Sequence, residues 1–335
     1  MNKSSPLVIA HRGACGYLPE NTLAAKALAH GQGADYWESD VLATSDGELV
    51  VLHDLFLDEI SDVKAQFANR ARACGHYYVI DFTLKELRSL NLSERRRPDG
   101  QAQFATRFPP GRSRFQIHTL AEEIELLQGL NQSFARQMGL YLELKAPWFH
   151  ADAGFDLSRA ALGTLKAYGY TQPSDAVIVE SFDAQALERI KRELMPELGV
   201  DLRLAQLVGY DHWQTTCERD ANGNWVTVDS SWMLTPEGLS QIARYANTVA
   251  AAMSLLWQAR DEGVPKLAPW LAWARARGLA IHTYTLRSDR LPGFAPDAAF
   301  IHDWLVKVAQ VDGVFTDFPD QLVQYLQGSA SSCVS

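Results

Sequence analysis

The sequence predicts an α/β fold: a single (β/α)8 (TIM) barrel with insertions in its βα-loops. Three observations point there. Short runs rich in Val, Ile and Leu alternate with helical segments along the whole chain, the pattern of parallel strands covered on both faces. About eight such units fall within 335 residues, a length that suits one barrel with additions. No Gly-x-Gly-x-x-Gly turn opens a helix after any of these strands, which removes the main support for a doubly wound sheet.

The first unit joins an apolar run at 7–11 to a helix at 22–30, whose start is marked by Asn21 and Thr22. Both residue types accept hydrogen bonds from first-turn N–H groups. Strands at 35–42 and 49–53 follow closely, then a helix at 83–90. Thr119 with Glu122 reads as a capping box opening a helix at 119–129. The later units pair strand 139–145 with helix 157–168, strand 176–181 with helix 184–195, and strand 203–209 with helix 235–245. Strand 247–255 then pairs with helix 267–277, strand 279–285 with helix 298–308, and strand 311–315 with helix 319–327.

Two segments exceed the repeat. Residues 54–116 are polar and locally basic, with Glu94-Arg95-Arg96-Arg97, Arg107, Arg112 and Arg114. Residues 210–234 set a hairpin-like turn, Asp220-Ala-Asn-Gly-Asn224, among Trp213, Trp225 and Trp232. Loops of this kind build the mouth of a barrel's site, so both are expected to cap or narrow it, with surface elaboration the alternative. Residues 1–327 thus read as one domain, and the Gly-Ser-Ala-rich stretch 328–335 as a disordered tail.

Composition narrows the function. The chain is 47% hydrophobic and carries a net charge of -9, so its overall field does not favour nucleic acid or an anionic membrane surface. No apolar run approaches the roughly 20 residues of a membrane span. Cys15, Cys74, Cys217 and Cys333 lack Cys-x-x-Cys spacing and read as free thiols. Met1-Asn-Lys-Ser-Ser leads straight into the first strand without a secretory leader, so the chain as it stands reads as cytoplasmic.

The chemistry concentrates at strand ends. Glu38 and Asp40 lie two apart in a strand and share a face. Two converging carboxylates disfavour each other unless a cation lies between them, and hard oxygen ligands suit Ca²⁺ or Mg²⁺. Glu143 and Lys145 share a face of another apolar strand. His11 and His53 each end an apolar run and form a candidate acid–base pair. Arg12 can grip a phosphate bidentately, and Lys145 can neutralise a further phosphate oxygen. His282, inside Ile281-His-Thr-Tyr-Thr285, is a candidate to line the pocket.

His11-Arg-Gly with Pro19-Glu-Asn-Thr22, Glu38-x-Asp40, His53-Asp54, Glu143-x-Lys145 and Asp312-Gly-Val-Phe-Thr-Asp317 together resemble glycerophosphodiester phosphodiesterases over nearly the whole chain. The likeness is closest to the longer bacterial, periplasmic type, through Gly16-Tyr-Leu-Pro-Glu20, Phe104–Phe108, Leu144-Lys-Ala-Pro-Trp148 and Thr316-Asp-Phe-Pro-Asp320. The resemblance implies a (β/α)8 barrel, one divalent cation (Ca²⁺ ahead of Mg²⁺), and hydrolysis of glycerophosphodiesters to sn-glycerol 3-phosphate and an alcohol. Substrates such as glycerophosphocholine or glycerophosphoethanolamine are implied, and a periplasmic location is the alternative to a cytoplasmic one. Carried over residue by residue, the metal ligands fall on Glu38, Asp40 and Glu143, the catalytic pair on His11 and His53, and the phosphate contact on Arg12. Phe182, after Ser181, and Tyr284 match pocket positions. One departure stands out: 249–252 reads Val-Ala-Ala-Ala where the branch tends to carry a Gly-Pro-Asp turn. Lipid phosphodiesterases of the phospholipase C or D type on the same barrel, and a non-catalytic glycerophosphodiester binder, are the alternatives. The sequence leaves the oligomeric state, the headgroup alcohol and the histidines' individual roles open.

Overall fold

Eight parallel strands close into a barrel in a computed structural model that describes residues 5–258 and 265–331. They are β1 (Leu7–Ala10), β2 (Tyr36–Ala43), β3 (Gly139–Leu144), β4 (Val177–Ser181), β5 (Arg203–Val208), β6 (Thr248–Ala252), β7 (Ala280–Leu286) and β8 (Gly313–Thr316). Each pairs with its sequence neighbours, and β1 bonds to both β8 and β2, which closes the ring. The ninth strand expected from the sequence, Leu49–Val51, is not part of that ring. It folds back antiparallel on the end of β2, with Val41 opposite Val51. Parallel strands need a crossover of a dozen or more residues, and only the tight Thr44–Glu48 turn, with Gly47 at φ 83°, separates these two.

Alternation along each strand divides the core. Residues such as Leu140, Leu142, Val179, Leu204, Val249 and Val314 face the surrounding helices. Ile9, Tyr141, Ile178, Leu207, Ala250 and Phe315 fill the barrel interior. The 54–116 insertion has a core of its own, in which Leu57, Ile60, Val63, Phe82, Leu87 and Leu90 pack with Leu42 and Val50 of the β2 hairpin. It is therefore a packed subdomain built on β2 rather than a loose loop. The second insertion forms a small hairpin, Cys217–Arg219 with Trp225–Thr227. Its turn is held by Asp220 Oδ1, which accepts from the N–H groups of Asn222 and Asn224.

The helices follow their start signals. Thr22 caps Leu23–Gln32, and the Thr119/Glu122 capping box opens Leu120–Ser133, which ends four residues later than expected. The helix expected at 83–90 contracts to Leu84–Leu87. The last helix, Pro319–Ser331, runs into the segment read as a tail, because a helix already nucleated on the barrel extends at little cost through weak formers; residues 332–335 lie outside the described residues. Cys15, Cys74 and Cys217 are free thiols, and Cys333 is outside the described residues. Among the described residues no helix is long and apolar enough to cross a membrane.

Candidate active site

The site lies at the C-terminal ends of the strands. β1 delivers His11 and Arg12 into a sharp turn in which Arg12 (φ 55°) and Gly13 (φ 84°) are both left-handed. At Gly13 a Cβ would lie 2.7 Å from the carbonyl carbon of Ala25, so only glycine fits. The turn aims the Arg12 backbone N–H at Glu38 Oε2, 2.6 Å away.

Register assembles the acids. Asp40 pairs with Glu143 across β2 and β3, and Glu143 with Glu180 across β3 and β4. Glu38, Asp40 and Glu143 are all buried and offer oxygens within 4.8 Å of one another. Burial and the Asp40 charge push the Glu38 carboxyl well above its ordinary range. Burial, opposed by Lys145, raises Glu143 to about 7. Asp40 goes the other way: burial is outweighed by His53, Lys145, Arg12 and an Asn21 hydrogen bond of 2.8 Å, which hold it well below the usual range. Lys145 Nζ lies 2.6 Å from Glu143 and 3.6 Å from Asp40. Among the described residues, Asp40 Oδ1 and Glu180 Oε2 are buried without a hydrogen-bond partner. Three converging hard-oxygen donors with an orphaned carboxylate oxygen among them fit a divalent cation.

Each histidine is fixed by a carboxylate. His11 Nδ1 lies 2.7 Å from Asp317 Oδ1, and His53 Nδ1 2.5 Å from Asp54 Oδ1. Asp317 is held well below the carboxylate range: burial is overcome by Arg287, His11 and Arg107. Asp54 is likewise lowered, burial yielding to His53 and Arg95. Two ionised acceptors place the hydrogen on Nδ1 of each ring and leave each Nε2 with a free lone pair. Burial and the Arg12 charge bring His11 down to about 4, and burial, Arg12 and Lys145 lower His53.

These groups border a cavity of about 690 Å³ walled by His11, Arg12, Glu38, His53, Glu143, Lys145, Glu180, Phe182 and Tyr284. Asp40 is buried beside Glu38 and Glu143. Phe182 and Tyr284 meet edge to face at 6.1 Å, and the Tyr284 hydroxyl donates to the Val208 carbonyl. Where the sequence departs at 249–252, Ala252 adds an apolar patch to the wall, followed by Met253. His282 is not in that wall. It is packed inside the barrel against Tyr141 and Gly313, its Nδ1 3.1 Å from the Tyr141 hydroxyl, because its register partner Gly313 begins β8, at the end away from the site.

Several residues went unassigned from sequence. Glu180 carries the signal that exposed Glu143, an acid inside an apolar strand. Asp54 and Asp317 stand in quoted motifs without a role. Arg95 and Arg107 read only as part of a basic stretch, and nothing local ties them to histidines 42 and 96 residues away.

A closed parallel barrel with titratable groups gathered at the C-terminal ends of its strands is the architecture of a TIM-barrel enzyme. Residues 11–321 match the glycerophosphoryl diester phosphodiesterase family. A glycerophosphodiester phosphodiesterase of Haemophilus influenzae is 45% identical over 332 residues, covering 97% of this chain and 91% of the relative. Another from Treponema pallidum is 38% identical over 330 residues, covering 96% and 92%. The structure of an Oleispira antarctica phosphodiesterase in complex with the product sn-glycerol-3-phosphate matches with a TM-score of 0.62 at 22% identity, over 96% of this chain and 97% of that one. A glycerophosphodiester phosphodiesterase from Thermotoga maritima matches with a TM-score of 0.58 at 18% identity, over 96% and 99%. The chain belongs to the glycerophosphoryl diester phosphodiesterase family and is a phosphoric diester hydrolase.

Proposed function

We propose that the enzyme cleaves glycerophosphodiesters to sn-glycerol 3-phosphate and an alcohol, with His11 and His53 as the acid–base pair and one divalent cation on Glu38, Asp40 and Glu143. The observation that carries this reading is the pair of Nδ1-anchored histidines bordering one cavity beside a three-carboxylate cluster. The names of the two curated relatives and the product held by the Oleispira antarctica enzyme support the substrate class. Ca²⁺ is the ion proposed, since it accepts more oxygens and looser geometry than Mg²⁺.

When bound, the cation neutralises phosphate charge and lowers the pKa of a hydroxyl at the phosphorus. The remaining work belongs to side chains. Arg12 and Lys145 bring fixed positive charge to the cavity wall for the phosphate oxygens. One histidine Nε2 takes the nucleophile's proton; the other takes up a proton on Nε2 when the phosphate's negative charge enters beside it and offsets that of Arg12, and gives it to the departing alkoxide. The nucleophile is the glycerol 2-hydroxyl or water. The rings of Phe182 and Tyr284 give the carbon skeleton of the substrate an apolar contact.

Substrate turnover tests this reading. His11→Ala and His53→Ala should each lower kcat on glycerophosphocholine and glycerophosphoethanolamine by at least about 10²-fold. Near-normal turnover in either variant would remove that histidine from the scheme. Trp213 is 44% exposed in the cavity wall and is the feature that favours the lipid-cleaving alternative. Faster hydrolysis of phosphatidylcholine vesicles than of glycerophosphocholine would select it.

A further inference from the structure

Both histidine carboxylates are gripped by arginines from one insertion. Arg95 Nη1 donates to Asp54 Oδ2 at 2.5 Å, while Asp54 Oδ1 faces His53. Arg107 Nη2 donates to Asp317 Oδ2 at 2.7 Å, while Asp317 Oδ1 faces His11. Each aspartate is thus held at both oxygens, which fixes its rotation and with it the plane of the imidazole. The arginines are themselves fixed. Arg95 also bonds Glu20 at 2.7 Å and Glu59 at 3.1 Å, and Glu20 in turn pairs with Arg12 at 3.0 Å. Arg107 is 4% exposed, its guanidinium carbon 3.7 Å from the Phe104 ring centroid and its Nε 2.8 Å from Asp289. Leu92 and Ile117 of the insertion's core flank the stretch that carries both arginines, and the ion pairs and ring contact just named hold the two guanidinium groups in place.

Resting on the two-histidine reading above, we propose that Arg95 and Arg107 are positioning residues for His53 and His11. The 54–116 insertion then sets the geometry of both halves of the acid–base pair. A carboxylate that orients an imidazole and balances its charge works only while it stays ionised and aligned, and a flanking guanidinium secures both. The two clamps are unequal. Asp317 keeps Arg287 at 2.8 Å when Arg107 is removed, whereas among the described residues Arg95 is the one arginine bonded to Asp54.

The test compares Arg95→Met and Arg107→Met with Arg72→Met. Arg72 belongs to the same insertion but pairs with Asp81. Replacing the partner that orients a metal-bound histidine costs about 10- to 100-fold in activity, and the same range is expected for a group that orients the histidine's carboxylate. A kcat loss of that size, with KM changed less than about threefold, is expected for Arg95→Met, and a smaller loss for Arg107→Met. Arg95→Lys should retain an intermediate kcat, and added guanidinium chloride at non-denaturing concentration should restore part of the kcat of Arg95→Met. Neither Arg72→Met nor His53→Ala should respond to guanidinium. Unchanged kcat in both methionine variants, while His11→Ala and His53→Ala are inactive, would overturn the positioning role alone. A loss that tracks unfolding in circular dichroism, with no rescue and no benefit from lysine, would also overturn it. Active histidine variants would instead overturn the reading beneath it.

Discussion

His11 presents an open Nε2 because its other ring nitrogen is committed to Asp317. That arrangement has a cost that depends on pH. Its folded-state pKa, about 4, lies below the ordinary 6.5, so between these values the unfolded chain binds more protons and stability falls as pH is lowered. One pKa unit corresponds to 1.36 kcal/mol, and the unfolded imidazole is only half protonated at pH 6.5, so the loss from His11 between pH 6.5 and 5 is about 1.5 kcal/mol. In His11→Gln, whose amide still donates to Asp317, denaturant unfolding at the two pH values should show a correspondingly smaller loss. An equal loss in both proteins would mean that His11 protonates freely in the folded state. At this scale the sequence was informative where a polar residue interrupts an apolar strand, as Glu38, Asp40 and Glu143 do, since such residues need a partner. It was silent on Arg95 and Arg107, whose partners are set by tertiary packing.

Register does what no single residue can. Pairing of Asp40 with Glu143 across β2 and β3 brings two segments about a hundred positions apart to one point. The β1 turn then adds Arg12 through a backbone shape that only Gly13 permits. Gly13→Ala meets both a left-handed φ and the Ala25 backbone, strain of about 1–3 kcal/mol before any shift of the chain. Calorimetry should show a lowered Tm, and kcat should fall with it as the Arg12 N–H leaves Glu38. A fully stable and active Gly13→Ala would show that the turn tolerates a side chain. Strand alternation and capping residues made most elements legible, with ends displaced by a few residues. The antiparallel Leu49–Val51 strand was legible in principle, since five residues cannot hold a parallel crossover. The separate core of the insertion was not, because its short apolar runs follow neither helical nor strand periodicity for long.

The whole molecule places a buried acid cluster in a chain whose net charge is already -9. A cation that binds the folded state alone stabilises it by about 2.7 kcal/mol at a concentration a hundredfold above Kd. Ca²⁺ should therefore raise Tm, Mg²⁺ should do so less, and Glu38→Gln should lose most of the shift. Equal shifts in wild type and Glu38→Gln would move the ion elsewhere. The barrel itself was readable from the count of β–α units, and its site from the residues at their ends. Metal-assisted cleavage is tested by release of sn-glycerol 3-phosphate from glycerophosphocholine by the chelator-treated enzyme, before and after Ca²⁺ is restored. Release should stop with chelator and return with Ca²⁺; release at the same rate throughout would show that no cation takes part in turnover.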